Sequence, residues 1–359
     1  MKKFLKTLLR VSIGLAIGIV LSDIGLRMLG LPRFYKLHTF PPQFASFQTS
    51  EGALYYASMP STQIVFEYDG NPRQYFGSKN EVAHSTNSWG FRGHEFSEEK
   101  APNTFRIAFL GDSVTFGEGV KDGDTFPEQT VLLLEKELAP KGRHVEGYNF
   151  GVGGYNTEQE IALLKEVVLT TSPDAIILGY SLNDAEPALF SIDADTGQLK
   201  RRPRDKRIDW RGDPLPDGLL FRPRIVQLFW QALSRVSRTR DTAEYYSSLY
   251  KEDAPGWQAT KQALGEFGKI CDENDIPCWA IIFPLLYRLD ETYPFAAVHD
   301  LVKAALSQAG SSHLQVIDAF DLLKGKKDTT LWVHPTDQHP NERVHRIVAE
   351  ALAQRLRPG

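Results

Sequence analysis

Apolar and polar residues follow one another along this chain in blocks that change period. Phe105–Leu110 (FRIAFL) is a short apolar run, the pattern of a parallel strand buried on both faces. After a turn, Thr125–Leu138 sets Val131, Leu134 and Leu138 along one side of an amphipathic helix. The cycle repeats. Val145–Phe150 reads as a strand, Thr157–Leu169 as a helix with apolar positions at 161, 164, 167 and 168, and Ala175–Tyr180 (AIILGY) as the clearest buried strand. From about 185 to 240 the rhythm breaks into a charged, Pro- and Arg-rich stretch (RRPRDKR from Arg201), the mark of an insertion or cap. Helical patterning returns over Thr242–Asn274. Cys278–Phe283 (CWAIIF) is a strand, Ala296–Gln308 a helix and Leu314–Ile317 a last strand. Asn341–Leu356 closes the chain as a helix with Val344, Ile347, Val348, Ala351 and Leu352 on one face. Strands alternating with helices predict an α/β fold: a three-layer α/β/α sandwich around a five-stranded, mainly parallel sheet. No internal repeat is present.

The N-terminus has another pattern. Lys2, Lys3, Lys6 and Arg10 precede an apolar run from Val11 to Leu21, which resumes past Ser22 and Asp23 as Ile24–Leu31, interrupted by Arg27. The unbroken part falls short of the roughly 20 residues of a spanning helix and suits a signal-peptide core. No A-x-A-like site follows, however, and no cysteine offers a lipid anchor. A helix starting near Phe4, with its basic residues snorkelling and Asp23 at the outer interface, makes residues 1–31 an uncleaved signal anchor. A cleaved signal and a buried soluble helix are the alternatives. The basic flank keeps the N-terminus cytoplasmic and predicts an extracytoplasmic, periplasmic domain. Residues 32–100, rich in Pro, Tyr, Phe and Ser, read as an irregular, partly stranded lead-in to a domain over 101–359.

Composition narrows the chemistry. With 42% hydrophobic and 24% charged residues the chain is an ordinary globular one, and a net charge of −4 gives no footprint for nucleic acid. Cys271 and Cys278 are the only cysteines; export permits a disulfide, and two buried thiols are the other option. Without a matching histidine pattern they make no zinc site, and neither metal nor cofactor is expected.

In a parallel sheet, ligands bind beyond the carboxyl ends of the strands. Those ends carry Gly111-Asp112-Ser113, then Asn149-Phe150 running into Gly151-Val152-Gly153-Gly154, then Asn183-Asp184. Asp337-Gln338-His339-Pro340-Asn341 precedes the last helix. A serine, glycine amides, an asparagine amide and an Asp/His pair therefore gather at one rim. That set supplies a nucleophile, oxyanion donors and a base with its orienting carboxylate.

Four segments carry a specific resemblance. FLGDSVTFGEGV resembles the first signature block of the SGNH/GDSL hydrolases, NFGVGGYNT the second, SLND the third and DQHPNERVHRIVAEAL the fifth, in the family's order over residues 105–352. The resemblance implies a flavodoxin-like SGNH sandwich and a serine ester hydrolase needing no cofactor. It makes Ser113 the nucleophile and His339 the base. The Ser113 amide, the Gly154 amide (Gly153 being a substitute) and the Asn183 side chain become the oxyanion donors. The usual G-x-N-D spelling is replaced by Gly179-Tyr180-Ser181-Leu182-Asn183-Asp184, which bears on the loop geometry. Much of the family sets its aspartate three residues before the histidine, where this chain has Thr336. The D-x-H spacing found among SGNH-like proteins, the alginate acetylation enzymes included, points to Asp337, a Ser–His dyad being the alternative. His334 and His345 do not fit the block, and Asp112 and Asp184 are expected to brace loops.

Fold and triad do not choose a substrate. Export and a tether favour a carbohydrate or lipid ester of the envelope. An O-acetyltransferase of an envelope polysaccharide and a non-catalytic SGNH-fold binding protein are the rivals. Tyr245, Tyr246, Tyr250 and Trp257 suit either sugar stacking or packing. Arg201, Arg202, Arg204 and Arg207 suit either an anionic polymer or a solvated loop.

Overall fold

The chain begins with a 27-residue helix, α1 (Lys2–Met28). In the computed structural model, residues 2–29, 37–40, 44–48, 54–97, 99–193, 196, 198–203 and 223–356 are described. They divide into two units: residues 1–36 with 204–245, and residues 37–203 with 246–359. In the first unit, the helix runs through the polar interruption that the sequence places at Asp23. Lys6–Met28 has a mean hydropathy of 1.8 and is long enough to cross a membrane or act as a signal anchor. Asp23 and Arg27, one turn apart, pair at 2.6 Å, which cancels the two charges that interrupt the apolar run. Its apolar side chains are exposed, unlike those of a core helix. Arg204 and Arg207 lie outside the described residues.

In the second unit the lead-in has more order than its composition predicts. Strands β1 (Leu37–Phe40), β4 (Gln63–Tyr68) and β5 (Glu81–Ser85) form an antiparallel sheet, and β2 (Phe44–Gln48) pairs with β3 (Leu54–Ser58) as a hairpin. In β4, alternate residues Ile64, Phe66 and Tyr68 are buried, the period of two that a half-buried strand requires. They pack with Phe76 and Val82, and also with Val120 and Val333 from much later in the chain.

The rest is the expected sandwich. Strand β6 (Thr104–Gly111) leads to the single-turn α2 (Ser113–Phe116) and then to α3 (Phe126–Leu138). β7 (His144–Gly151), α4 (Thr157–Glu166) and β8 (Ala175–Ser181) follow. The insertion carries a small hairpin, β9 (Phe190–Ile192) with β10 (Leu199–Arg201), and the start of α5 (Arg224–Leu249). α6 (Pro255–Glu273), β11 (Cys278–Phe283), α7 (Ala296–Gln308), β12 (Leu314–Asp318) and α8 (Ala319–Leu323) come next. The chain ends with the β13 (Trp332–His334) and β14 (Asp337–Pro340) hairpin and α9 (Glu342–Ala353). The five core strands lie in the order β12-β11-β8-β6-β7, every pairing parallel. Helices α3 and α9 pack together, as do α4, α6 and α7. The strand order reverses at β6, so a crevice opens between the carboxyl ends of β6 and β8. Those two ends carry Ser113 and Asn183.

Two expectations change in detail. The helix expected over 242–274 is two helices, because Pro255 at the start of α6 forces Ala254 into extended backbone and ends the run. Of the four aromatic residues offered for sugar stacking, Tyr245, Tyr250 and Trp257 are buried and serve packing, with the Tyr250 and Tyr180 hydroxyls 2.6 Å apart. Tyr246 sets its ring edge-on to Phe295. Arg202 pairs with Glu186 at 3.0 Å.

Cys271, near the end of α6, and Cys278, at the start of β11, are joined as a disulfide across seven residues. Closing so short a loop is worth about 2 kcal/mol through the unfolded chain. Replacing both cysteines with alanine is expected to lower the urea unfolding free energy by that amount. Reductant should do the same to the wild type and nothing further to the variant.

A second expectation concerns acid. His345 on α9 is fully buried, and its Nδ1 accepts from the Phe126 amide at 3.0 Å. Burial pulls the ring from 6.5 down to about 3. Below pH 6.5 the unfolded chain therefore takes up a proton that the native state refuses, and stability falls toward pH 3 by about 1.4 kcal/mol per pH unit. His345→Asn, which keeps an acceptor in place, should flatten the wild-type slope by about one proton between pH 6 and 4 in urea titrations.

Candidate active site

Ser113 owes its position to a sharp strand-to-helix turn. Asp112 caps α2, its Oδ1 accepting from the Val114 amide at 2.8 Å. Gly111 takes a φ of +150°, and a Cβ there would come within 2.1 Å of Thr115 Oγ1 and 2.7 Å of the Gly179 carbonyl, so the strand can end this tightly only at glycine. Gly117, at φ +81°, ends the helix after one turn.

Across the crevice the β13–β14 hairpin turns at Pro335-Thr336 and pairs His334 with Asp337. Residues two apart in a strand share a face, so Asp337 and His339 lie side by side on β14. Asp337 Oδ1 meets His339 Nδ1 at 2.5 Å and accepts the His339 backbone N–H at 3.1 Å. The far nitrogen, Nε2, lies 2.8 Å from Ser113 Oγ. Strand geometry thus accounts for the D-x-H spacing. Thr336, which occupies the more usual aspartate position, turns instead to His334 Nδ1 at 2.8 Å.

The residues expected to meet an oxyanion occupy neighbouring strand ends. Asn183 Nδ2 donates to Asp112 Oδ2 at 3.2 Å, and Ser181 Oγ to Asp112 Oδ1 at 3.1 Å, so the unusual SLND loop is moored to the cap of α2. Asp184 Oδ2 holds the Ser181 amide at 2.8 Å. Asp112 and Asp184 thus brace the loops. Gly154 follows β7 at φ +83°, where a Cβ would press on Leu189 and Phe190 at 3.1 and 3.3 Å. Beneath these loops Asp112, Asp184 and Glu160 are all buried. Burial raises Asp112 from its ordinary value against the pull of its hydrogen bonds, and burial with their neighbours' charge raises Glu160 and Asp184 well above theirs.

Four further residues shape the site: Glu118 lies within the FLGDSVTFGEGV segment, where the sequence gives it no role, and no motif announces the other three. Tyr68 of β4 donates to Asp337 Oδ2 at 2.9 Å, its ring stacked on Phe76 at 4.4 Å. Gly119 makes room for it: at φ +83°, a Cβ there would sit 2.7 Å from the Tyr68 hydroxyl. Arg92, almost wholly buried, donates to the carbonyls of Phe116, Gly117 and Val120 and pairs with Asp122 at 2.9 Å, which latches the loop after α2. His84 Nε2 accepts from the Gly119 amide at 3.3 Å; burial holds that ring well below the usual histidine range, so it stays a neutral acceptor. Glu118 brings Oε2 to 3.7 Å from His339 Nε2. The alternation of β4 marks Tyr68 as inward-facing, yet nothing in one sequence pairs it with position 337. His334, drawn by burial to about 4, and His345 lie outside the Ser113–His339–Asp337 chain. Among the described residues no group of three or more His, Cys, Asp or Glu side chains is arranged to hold a metal ion.

No curated protein matches the chain. Among solved structures, an acetylxylan esterase from Geobacillus stearothermophilus, in its catalytic-mutant form, is 16% identical, with 72% of this chain and 95% of that one aligned and a TM-score of 0.42. LAE5, an alpha/beta hydrolase enzyme from the metagenome of Lake Arreo, Spain, is also 16% identical, over 73% and 99% of the two chains, TM-score 0.42. A two-domain esterase active on acetylated mannans is 14% identical over 70% of this chain, TM-score 0.39; the present chain spans about half (48%) of its length. The sequence pattern of the GDSL-like Lipase/Acylhydrolase family matches residues 109–347, from the last residues of β6 through most of α9. That span takes in every strand-end segment just described, and on it the chain belongs to the GDSL-like lipase/acylhydrolase family and is an ester hydrolase of the SGNH type.

Proposed function

We propose that Ser113, His339 and Asp337 act as a catalytic triad that deacylates an ester of the cell envelope, on a carbohydrate or a lipid. The observation that carries this reading is the unbroken chain from Ser113 Oγ to His339 at 2.8 Å and from His339 to Asp337 at 2.5 Å. In the first half-reaction His339 Nε2 takes the Ser113 proton as Oγ attacks the ester carbonyl, and then gives it to the departing alcohol. Asp337 holds the imidazole with its N–H at Nδ1 and balances the imidazolium that forms. The amides of Ser113 and Gly154 and the side chain of Asn183 are the proposed donors to the oxyanion. An asparagine amide carries two hydrogens. Asp112 takes one and orients the group, and the other is left for the substrate. Each such donor is worth roughly a hundred- to a thousandfold in rate.

The envelope assignment rests on α1. As a signal anchor over residues 1–31, its basic N-terminal flank keeps that end cytoplasmic and carries the hydrolase, with its lead-in, to the periplasmic side. A tethered esterase then meets esters of nearby glycans and lipids.

The test is fluorophosphonate labelling of the detergent-solubilised full chain. Ser113→Ala and His339→Ala should both lose the label, and ester turnover should fall by up to about a millionfold. Label retained by Ser113→Ala would overturn the assignment. Tyr68→Phe probes the lead-in's part in the site. Losing a hydrogen bond to a buried charged group should lower kcat about tenfold with KM little changed. A raised KM at constant kcat would instead assign Tyr68 to substrate binding.

A further inference from the structure

After the first half-reaction a second nucleophile has to reach His339 Nε2, and Glu118 stands beside that nitrogen. Its Oε2 is 3.7 Å from Nε2, which also faces Ser113 Oγ at 2.8 Å. Glu118 is only 7% exposed. Among the described residues its carboxylate has no cationic partner besides His339 and accepts no protein hydrogen bond. A carboxylate so enclosed is costly unless something donates to it.

Its place is set by a rigid backbone. The Glu118 amide donates to the Ser113 carbonyl at 3.0 Å. The flanking residues Gly117 and Gly119 both have positive φ, and Arg92 and His84 fasten them. The loop therefore holds the carboxylate at a fixed distance from the histidine. A gap of 3.7 Å is too long for a hydrogen bond, and it lets one water oxygen reach both groups at once.

We propose that Glu118 and His339 together hold the water that resolves the acyl-enzyme, and that Glu118 thereby selects water over an alcohol as acyl acceptor. The inference rests on the triad reading above. Water has two hydrogens. One points to Nε2, the other to the Glu118 carboxylate, and a lone pair is left directed at the acyl carbon. The water oxygen bonds to that carbon as the bond from carbon to Ser113 Oγ breaks. One water proton passes to Nε2 and from there to Oγ, the second stays on the acid product, and Glu118 takes up no proton in the step. An alcohol, a sugar hydroxyl included, has a single hydrogen for Nε2 and would turn a carbon toward the carboxylate. Glu118 thus favours hydrolysis over transfer at a site whose first half-reaction is common to both.

The experiment uses the full chain in detergent with 4-nitrophenyl acetate as probe, in the presence and absence of methanol. Intact-mass spectrometry follows acetyl on Ser113, and product analysis follows acetate against methyl acetate. In Glu118→Gln, acylation should stay within about threefold of wild type, deacylation should slow about tenfold with acetyl-enzyme accumulating, and the share of methyl acetate should rise. Glu118→Asp should recover part of the hydrolytic rate. Acylation and deacylation falling together, or an unchanged product ratio, would overturn the inference and leave Glu118 a structural group. A wild type that never carries acetyl on Ser113 would overturn the triad, and this inference with it.

Discussion

Asp337 is a carboxylate held almost wholly out of water, and a charge so placed is tolerated only when its oxygens are occupied. Oδ1 is taken by the ring and the backbone of His339, and Oδ2 by the hydroxyl of Tyr68. The second of these constrains the rest. To bring Tyr68 to Asp337, β4 has to pack against the β13–β14 hairpin, and the shared cluster of Ile64, Phe66, Tyr68, Val120 and Val333 is the result. The loop after α2 has to pass between them without a side chain, which it does at Gly119. A segment that looks from its composition like a connector thus completes the second coordination of the acid.

What is legible in the sequence follows from where the proposed site lies. Ser113, Gly154, Asn183 and His339 occupy the ends of regular elements, and local pattern predicts those elements well. β6, β7, β8 and β11 are buried runs whose composition leaves little choice, and the family's blocks sit on the ends of β6, β7 and β8 or lead into α9. The spacing of Asp337 looked irregular only against a loop. On a strand, residues two apart share a face, and the D-x-H order becomes the one that geometry requires.

Tyr68, Arg92, His84 and Glu118 were not legible, and for a common reason. Each acts on a partner brought near by tertiary packing rather than by its own element. Arg92 carries no apolar pattern that would forecast its burial; it is inside because three carbonyls of a tight glycine-rich loop need a donor. The N-terminal helix repeats the point on a small scale. Asp23 and Arg27 read as interruptions until the helix sets them one turn apart and they neutralise each other. The break between α5 and α6 was visible in Pro255, and the helical period on either side concealed it.

The buried carboxyls beneath the proposed oxyanion donors make a last connection between folding and chemistry. Asp112, Glu160 and Asp184 feel one another's charge in a low-dielectric interior, where three carboxyls cannot all ionise. Asp112 accepts from the Val114 amide, the Ser181 hydroxyl and the Asn183 amide, so of the three it is the best provided to keep a charge. Glu160 has both oxygens buried without a protein partner, and Asp184 has one, so burial drives both toward the neutral acid. The consequence is electrostatic economy near the reacting carbonyl. In the proposed mechanism, of these three carboxyls only Asp112 is left to present a negative charge to an oxyanion held by Ser113, Gly154 and Asn183, and its oxygens are already turned toward the donors that shape the loops.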